Sequence, residues 1–138
     1  MERSPINLMQ PTNRNILVIE DSVTQAMQIR ALLIANNLLV TLAFDGADGL
    51  EKALEILPGL IISDFEMPLM NGVEVARALK NNPLTRDIPI ILFTGHTMQD
   101  ALQMGLGEGI VEIIPKDAFA KVVMVETLKQ LGFIQWKA

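Results

Sequence analysis

The chain has 138 residues, half of them hydrophobic, and a formal net charge of -5 at pH 7. This length and composition predict one folded domain with its own apolar core rather than a disordered chain. The acidic balance argues against a nucleic-acid surface, the absence of cysteine gives no sign of a redox compartment, and no apolar stretch approaches the ~20 residues that a membrane helix requires. At the start of the chain, residues 1–15 lack the apolar segment of a signal peptide, so we expect a cytoplasmic domain without a nucleic-acid or membrane partner.

Short apolar runs alternate with helical patterns along the chain. Ser22 is a suitable N-cap for the first helix, and Gly132 closes the last helix as a C′ residue. Residues 1–13 are predicted to be a flexible lead-in, and residues 133–138 either a tail that packs back on the domain or the start of a linker. In chain order, the predicted elements are a strand over 15–19, a helix over 23–36, a strand over 38–44, a helix over 46–57, a strand over 60–63 that ends at Asp64, a helix from 72 or 73 to before Pro83, a strand over 88–93, a helix over 97–104, a strand over 110–114 and a helix from Asp117 to Gly132.

Polar side chains occur where the predicted strands end. The strands are too apolar to leave one face of a sheet in water, so the pattern predicts an α/β domain with a parallel sheet covered on both faces. In a doubly wound sheet of this kind the carboxyl ends of the strands share one crevice, which is where ligands bind. The side chains expected in that crevice are Glu20 and Asp21 after the first strand, Asp64 at the end of the third, Thr94 after the fourth and Lys116 after the fifth.

The acidic residues of the crevice point to a metal ion. Glu20, Asp21 and Asp64 would bring three carboxylates together, and these repel one another unless a cation lies among them. Mg²⁺ is the natural choice because it takes oxygen ligands and keeps several waters. Taken singly, each polar residue also has a structural explanation, such as acids near a helix N-terminus or a solvated Lys116. Their conjunction favours a functional site.

This constellation resembles the receiver domain of two-component response regulators. The loop Met67-Pro68-Leu69-Met70-Asn71-Gly72 after Asp64 matches that family, and the resemblance covers about residues 14–132. It implies a CheY-like (βα)5 fold, that is, a flavodoxin-like domain with a five-stranded parallel sheet in the order 2-1-3-4-5. It also implies that Asp64 accepts a phosphoryl group from a histidine kinase or phosphotransfer protein. Such a domain is a self-modifying substrate rather than a turnover enzyme.

The resemblance further assigns roles to individual residues. Asp21, Asp64 and the backbone carbonyl of Glu66 would bind Mg²⁺ directly, and Glu20, which stands where Asp is commoner, would act through water. Thr94 and Lys116 would neutralise the phosphoryl oxygens, as phosphoryl transfer requires. Glu66 and His96 flank the phosphoryl position. His96 is either a solvent-facing loop residue or, together with Glu66, a residue that tunes the access of hydrolytic water.

Three residues depart from the family pattern. Lys116 is followed by Asp117 where proline across a cis bond is usual, so we expect a trans peptide and a differently aimed lysine, because a non-proline cis bond costs ~2.5–4 kcal/mol. Ile113 stands where an aromatic residue usually swings inward on phosphorylation, and Ile110 where a small Ala is usual. Since Ile113 is β-branched and stiff, we expect the switch to act more through the glycine-rich loop over 105–109.

The last third of the chain indicates a surface for partners. The predicted fifth helix is apolar nearly all round, more than a one-sided core contact requires. Together with Met98, Met104 and Ile113, this helix has two explanations. These residues either form an apolar patch for dimers or targets, on the fourth helix, fifth strand and fifth helix, or they fill the core.

Two other classes of protein share the predicted architecture. A flavodoxin-like binding protein would need a phosphate loop after the first strand, where this chain has acids that repel phosphate. A pseudo-receiver that serves as a phosphorylation-independent scaffold is the stronger alternative, because Ile113 and Asp117 depart from the pattern.

Overall fold

The computed structural model describes residues 13–95 and 109–135. Several predictions fall outside these ranges: the lead-in apart from its last residue, the predicted fourth helix over 97–104, most of the glycine-rich loop, and the side chains of His96, Met98, Met104 and Trp136.

Apart from the two strands on either side of residues 96–108, strands and helices alternate as predicted, with bounds that shift by a few residues. The last helix shows the largest shift, since it begins at Ala120 rather than at Asp117. Asp117 instead forms the preceding turn, in which its side chain accepts a hydrogen bond from the N–H of Phe119 at 2.8 Å. The elements are β1 (Asn15–Ile19), α1 (Val23–Ala35), β2 (Leu39–Ala43), α2 (Gly46–Ile56), β3 (Leu60–Asp64), α3 (Gly72–Lys80), β4 (Ile90–Thr94), β5 (Ile110–Pro115) and α4 (Ala120–Gln130).

The five strands form one parallel sheet in the order β2-β1-β3-β4-β5. This order confirms the flavodoxin-like architecture. The register pairs Ile19 with Ser63, Asp64 with Phe93, and Thr94 with Pro115, so the last residues of neighbouring strands lie side by side. The polar residues at these strand ends are therefore brought to one edge of the sheet.

Each face of the sheet carries its own apolar core. One core packs α2 and α3 against residues such as Ile19, Ile61 and Leu92. The other packs α1 and α4 against residues such as Val18 and Ile62. Since side chains alternate between the faces of a strand, the near-continuous apolar runs supply both cores.

The C-terminal end of the described chain packs back on the domain. Gly132 has a φ of 87°, the left-handed conformation expected of a C′ residue, which confirms the predicted helix end. Phe133 is buried in the core beside α1 and α4, and its carbonyl accepts a hydrogen bond from the guanidinium of Arg14. The segment after Gly132 thus begins with a residue, Phe133, that belongs to the folded core. Within the described ranges, every helix is too short or too polar to cross a membrane.

Candidate functional site

The loop after β3 holds Asp64 at the carboxyl edge of the sheet. The N–H of Phe65 donates to the carbonyl of Phe93 at 2.9 Å, which continues the ladder with β4 past Asp64. The N–H of Gly72 then donates to the carbonyl of Phe65 at 2.8 Å and closes the loop. Asn71 and Glu74 form a capping box at the start of α3, which satisfies two N–H groups of the first turn. Asp64 is therefore carried by a strand end and a closed loop.

Replacing Gly72 by Ala should destabilise this loop. A Cβ atom at Gly72 would lie 2.5 Å from the carbonyl oxygen of Asp64 and 2.8 Å from a methyl carbon of Leu92, so backbone and core must move. We expect the free energy of unfolding to fall by about 1–3 kcal/mol in urea denaturation, as in other overpacked sites. Gly95→Ala is the matched control, because no atom of the described part of the chain lies within 4 Å of its added Cβ. Equal stability of the two variants would contradict the close approach.

Three carboxylates meet at this edge of the sheet. Glu20 and Asp21 follow β1, and oxygens of Glu20, Asp21 and Asp64 all lie within 4.8 Å of one another. Glu20 and Asp64 are buried, whereas Asp21 is exposed. The predicted gathering of these acids is thus present. An all-oxygen donor set with one side open to water suits a hard divalent cation that keeps part of its hydration, as Mg²⁺ does.

Backbone contacts fix the direction of Glu20. Its N–H donates to the carbonyl of Ala43 at 2.9 Å and extends the pairing of β1 with β2. One oxygen of its carboxylate accepts from the N–H of Ser22 at 3.2 Å. Ser22 caps α1, as predicted, by accepting from the N–H of Gln25 at 3.3 Å. Glu20 therefore points into the crevice and leaves the capping of α1 to Ser22.

Lys116 reaches into the acidic cluster. Its Nζ lies 2.9 Å from Oδ1 of Asp64 and 3.2 Å from Oε1 of Glu20. Its backbone N–H donates to the carbonyl of Thr94 at 2.7 Å, and its Nζ lies 5.4 Å from the centroid of the Phe93 ring. No cis peptide bond occurs in the described ranges, so the expectation of a trans peptide after Lys116 is confirmed. Lys116 therefore contacts Asp64 although the residue after it is Asp117 and not proline.

The pKa values of two groups in the site are raised, for different physical reasons. Burial, with a smaller contribution from the nearby charge of Asp64, raises the pKa of Glu20 to about 7, against the lowering effects of the Ser22 N–H and Lys116. Burial lowers the pKa of Lys116, but the hydrogen bonds and charges of Asp64 and Glu20 outweigh it and raise this pKa above its ordinary value. At neutral pH and without a cation, Glu20 is thus partly protonated while Lys116 is charged.

A further residue, Gln25, belongs to the site although the sequence does not single it out. Its Oε1 accepts a hydrogen bond from Nζ of Lys116 at 2.7 Å. In the sequence, the one feature that points to Gln25 is its position one turn after Asp21, on a helix that begins at the crevice. A glutamine there reads equally as a solvated helix residue, so spacing alone gave no reason to choose it.

The remaining predicted residues are placed as follows. Thr94 is buried at the end of β4, and Glu66 is exposed with its N–H 3.4 Å from Oδ1 of Asp64. Ile113 is buried in the core beside α2 and α3, which for this residue agrees with the second alternative, a place in the core. On the other face of the sheet, Phe119 just before α4 and Val122 on α4 are exposed, with 69% and 63% of their surface accessible.

Comparison with known proteins assigns the chain to a family. A family model described as the response regulator receiver domain matches residues 16–129. The chain belongs to this receiver domain family. The family match covers the strand ends that carry Glu20, Asp64, Thr94 and Lys116.

Several relatives resemble this receiver domain. The response regulator PleD of Caulobacter vibrioides is 36% identical over 101 residues, which are 73% of this chain and 22% of that protein. Hybrid signal transduction histidine kinase D of Dictyostelium discoideum is 33% identical over 120 residues, 83% of this chain and 8% of that protein. The crystal structure of a receiver domain of a signal transduction histidine kinase from Syntrophus aciditrophicus matches with a TM-score of 0.77 and 32% identity, over 86% of this chain and 89% of that one. The receiver domain thus spans well under half the length of these two curated relatives.

Proposed function

We propose that this receiver domain accepts a phosphoryl group on Asp64 from a phosphorylated histidine of a histidine kinase or phosphotransfer protein, and that it does so with Mg²⁺. The observation that carries the proposal is the contact of 2.9 Å between Nζ of Lys116 and Oδ1 of Asp64, within a cluster of three carboxylates. An ammonium and a cation site beside one carboxylate place positive charge where the oxygens of an incoming phosphoryl group would lie.

The transfer makes one bond and breaks one. A carboxylate oxygen of Asp64 attacks the phosphorus atom in line, the phosphorus–nitrogen bond to the donor histidine breaks, and the imidazole leaves with that electron pair. The product is an acyl phosphate on Asp64. Phosphoryl transfer depends on positioning and on neutralising the phosphoryl oxygens more than on acid–base chemistry.

The residues of the crevice divide these tasks. Asp64 is the nucleophile, and the ammonium of Lys116 and the hydroxyl of Thr94 bind phosphoryl oxygens. Asp21, Asp64 and the backbone carbonyl of Glu66 would hold Mg²⁺, with Glu20 acting through water, and the ion would supply further positive charge. The domain then acts as a self-modifying phosphoacceptor and not as a turnover enzyme. Glu66 and His96 are proposed to affect the hydrolysis of the acyl phosphate.

Phosphorylation is proposed to switch a surface for partners in a cytoplasmic signalling pathway. Phe119, Val122 and Val111 are exposed on α4 and β5, where the patch for targets or a homodimer was predicted. Because Ile113 is buried and aliphatic, the transmitted change is expected to run through the segment that precedes β5. The alternative, a pseudo-receiver that binds partners without phosphorylation, is favoured by Ile113 and Asp117 but not by the contact of Lys116 with Asp64.

A titration with beryllofluoride, a phosphate mimic, separates these two functions. In calorimetry, the wild type should bind Mg²⁺ and then, only in its presence, beryllofluoride. Asp21→Asn should weaken Mg²⁺ binding by at least about tenfold, since even indirect metal partners contribute this much. Asp117→Asn is the matched control, because Asp117 is an exposed carboxylate outside the acidic cluster. A wild type that binds neither probe, or equal Mg²⁺ affinity in the wild type and Asp21→Asn, would favour the scaffold.

A further inference from the structure

Among the described residues, three side chains offer acceptors to the ammonium of Lys116. A lysine ammonium carries three N–H donors and no acceptor. Oxygens of Gln25, Asp64 and Glu20 lie 2.7, 2.9 and 3.2 Å from Nζ. The shortest of these contacts is to the uncharged amide of Gln25. Since lysine can only donate, the amide must present its oxygen and not its nitrogen to Nζ.

Two of these acceptors change their chemistry during the proposed reaction. Asp64 loses its negative charge when its oxygen becomes part of an acyl phosphate. Glu20 belongs to the carboxylate cluster that would hold a cation, so its contacts change when a cation binds. A divalent cation among the carboxylates also repels the ammonium. Only Gln25 offers Lys116 the same acceptor throughout.

The lysine needs such an anchor. Its side chain is a flexible four-carbon stem, so each fixed rotamer costs conformational entropy. The start of α1 holds Gln25 in place, because the N–H of Gln25 donates to Ser22 and the helix packs through the buried Ile29 and Leu33. A contact from this helix constrains Lys116 independently of β3.

We propose that Gln25 is a positioning residue, whose amide oxygen keeps the ammonium of Lys116 beside Asp64 while Asp64 is converted to the acyl phosphate and a cation occupies the carboxylate cluster. This inference rests on the proposed phosphoacceptor function. It predicts that loss of the amide weakens the binding of a phosphoryl group more than it weakens the fold.

Gln25→Met tests the proposal because it keeps the length and nearly the volume of the side chain without its oxygen. At saturating Mg²⁺, its affinity for beryllofluoride should fall about tenfold in calorimetry, the equivalent of one hydrogen bond to a charged group. Gln28→Met is the matched control, because Gln28 lines the same cavity of about 210 Å³ between α1 and α4, one turn further along α1. The affinity of Gln28→Met for beryllofluoride should stay within about twofold of the wild type, a smaller change than the loss of one such hydrogen bond. Equal affinities of Gln25→Met and wild type, or equal losses in both variants, would overturn the proposal.

A second measurement separates this proposal from the proposed function. In protein labelled with ¹⁵N-lysine and free of metal and phosphodonor, the ammonium signal of Lys116, assigned by its loss in Lys116→Arg, should show slow proton exchange. Exchange should be faster in Gln25→Met and remain slow in Gln28→Met and in Gln25→Glu, which retains an acceptor oxygen. An unchanged signal in Gln25→Met would refute the positioning role even if the wild type is phosphorylated. A wild type that binds no beryllofluoride would refute the phosphoacceptor function, whereas the signal would still report on Gln25.

Discussion

Asp64→Asn should abolish formation of the acyl phosphate. When wild-type protein is incubated with Mg²⁺ and a small phosphodonor such as acetyl phosphate, its intact mass should rise by one phosphoryl group. The variant should show no rise, because a neutral amide is a poor nucleophile, whereas its similar shape preserves the loop after β3. The measurement is intact-mass spectrometry over a time course, with samples kept cold and neutral since acyl phosphates hydrolyse.

The control for this experiment is again a carboxylate outside the cluster. Asp117→Asn removes a charge next to Lys116 but leaves the acidic cluster of Glu20, Asp21 and Asp64 complete. It should therefore gain one phosphoryl group as the wild type does. Phosphorylation of Asp64→Asn at the wild-type rate would place the acceptor elsewhere. An unmodified wild type, under conditions that label another receiver domain, would favour the scaffold.

The metal-free domain should lose stability as the pH rises from about 4.5 to about 7, because of Glu20. The pKa of Glu20 is raised from 4.5 to about 7 in the folded state, so in this window the folded protein binds a proton that the unfolded chain has released. Stability falls with pH wherever the folded state binds more protons. The stabilisation of the fold by protonated Glu20 is thus fully present below pH 4.5 and is lost as the pH rises past about 7. Its size is at most about 3.5 kcal/mol, at about 1.4 kcal/mol for each unit of pKa shift.

Urea denaturation at several pH values, for the wild type and Glu20→Gln, isolates this effect. The difference in the free energy of unfolding between the two should shift steadily in favour of the variant as the pH rises through the window. Saturating Mg²⁺ should remove the trend, because a cation favours the charged carboxylate. Parallel pH profiles of the two metal-free proteins would show that Glu20 titrates normally.

Much of the architecture follows from local patterns in the sequence. Apolar runs of about five residues, each followed by a helical pattern, leave a parallel sheet with helices on both faces as the way to bury all of them. The carboxyl ends of parallel strands share one edge, so Asp21, Asp64 and Lys116 were predicted to meet although they are distant in the chain. The strand order came from the resemblance to receiver domains, and the pairing of β1 with both β2 and β3 confirms it.

Tertiary structure decided the details of the site. The contact of Lys116 with Asp64 and the hydrogen bond from Lys116 to Gln25 depend on how α1 packs beside the end of β5. The same arrangement buries Glu20 enough to raise its pKa. On the other face of the sheet, α2 and α3 bury Ile113, and the turn formed by Asp117 delays the start of α4 to Ala120. Sequence periodicity reports which face of an element is apolar. It contains no information on the distance between side chains that approach from separate elements, and that distance sets hydrogen bonds, desolvation and charge.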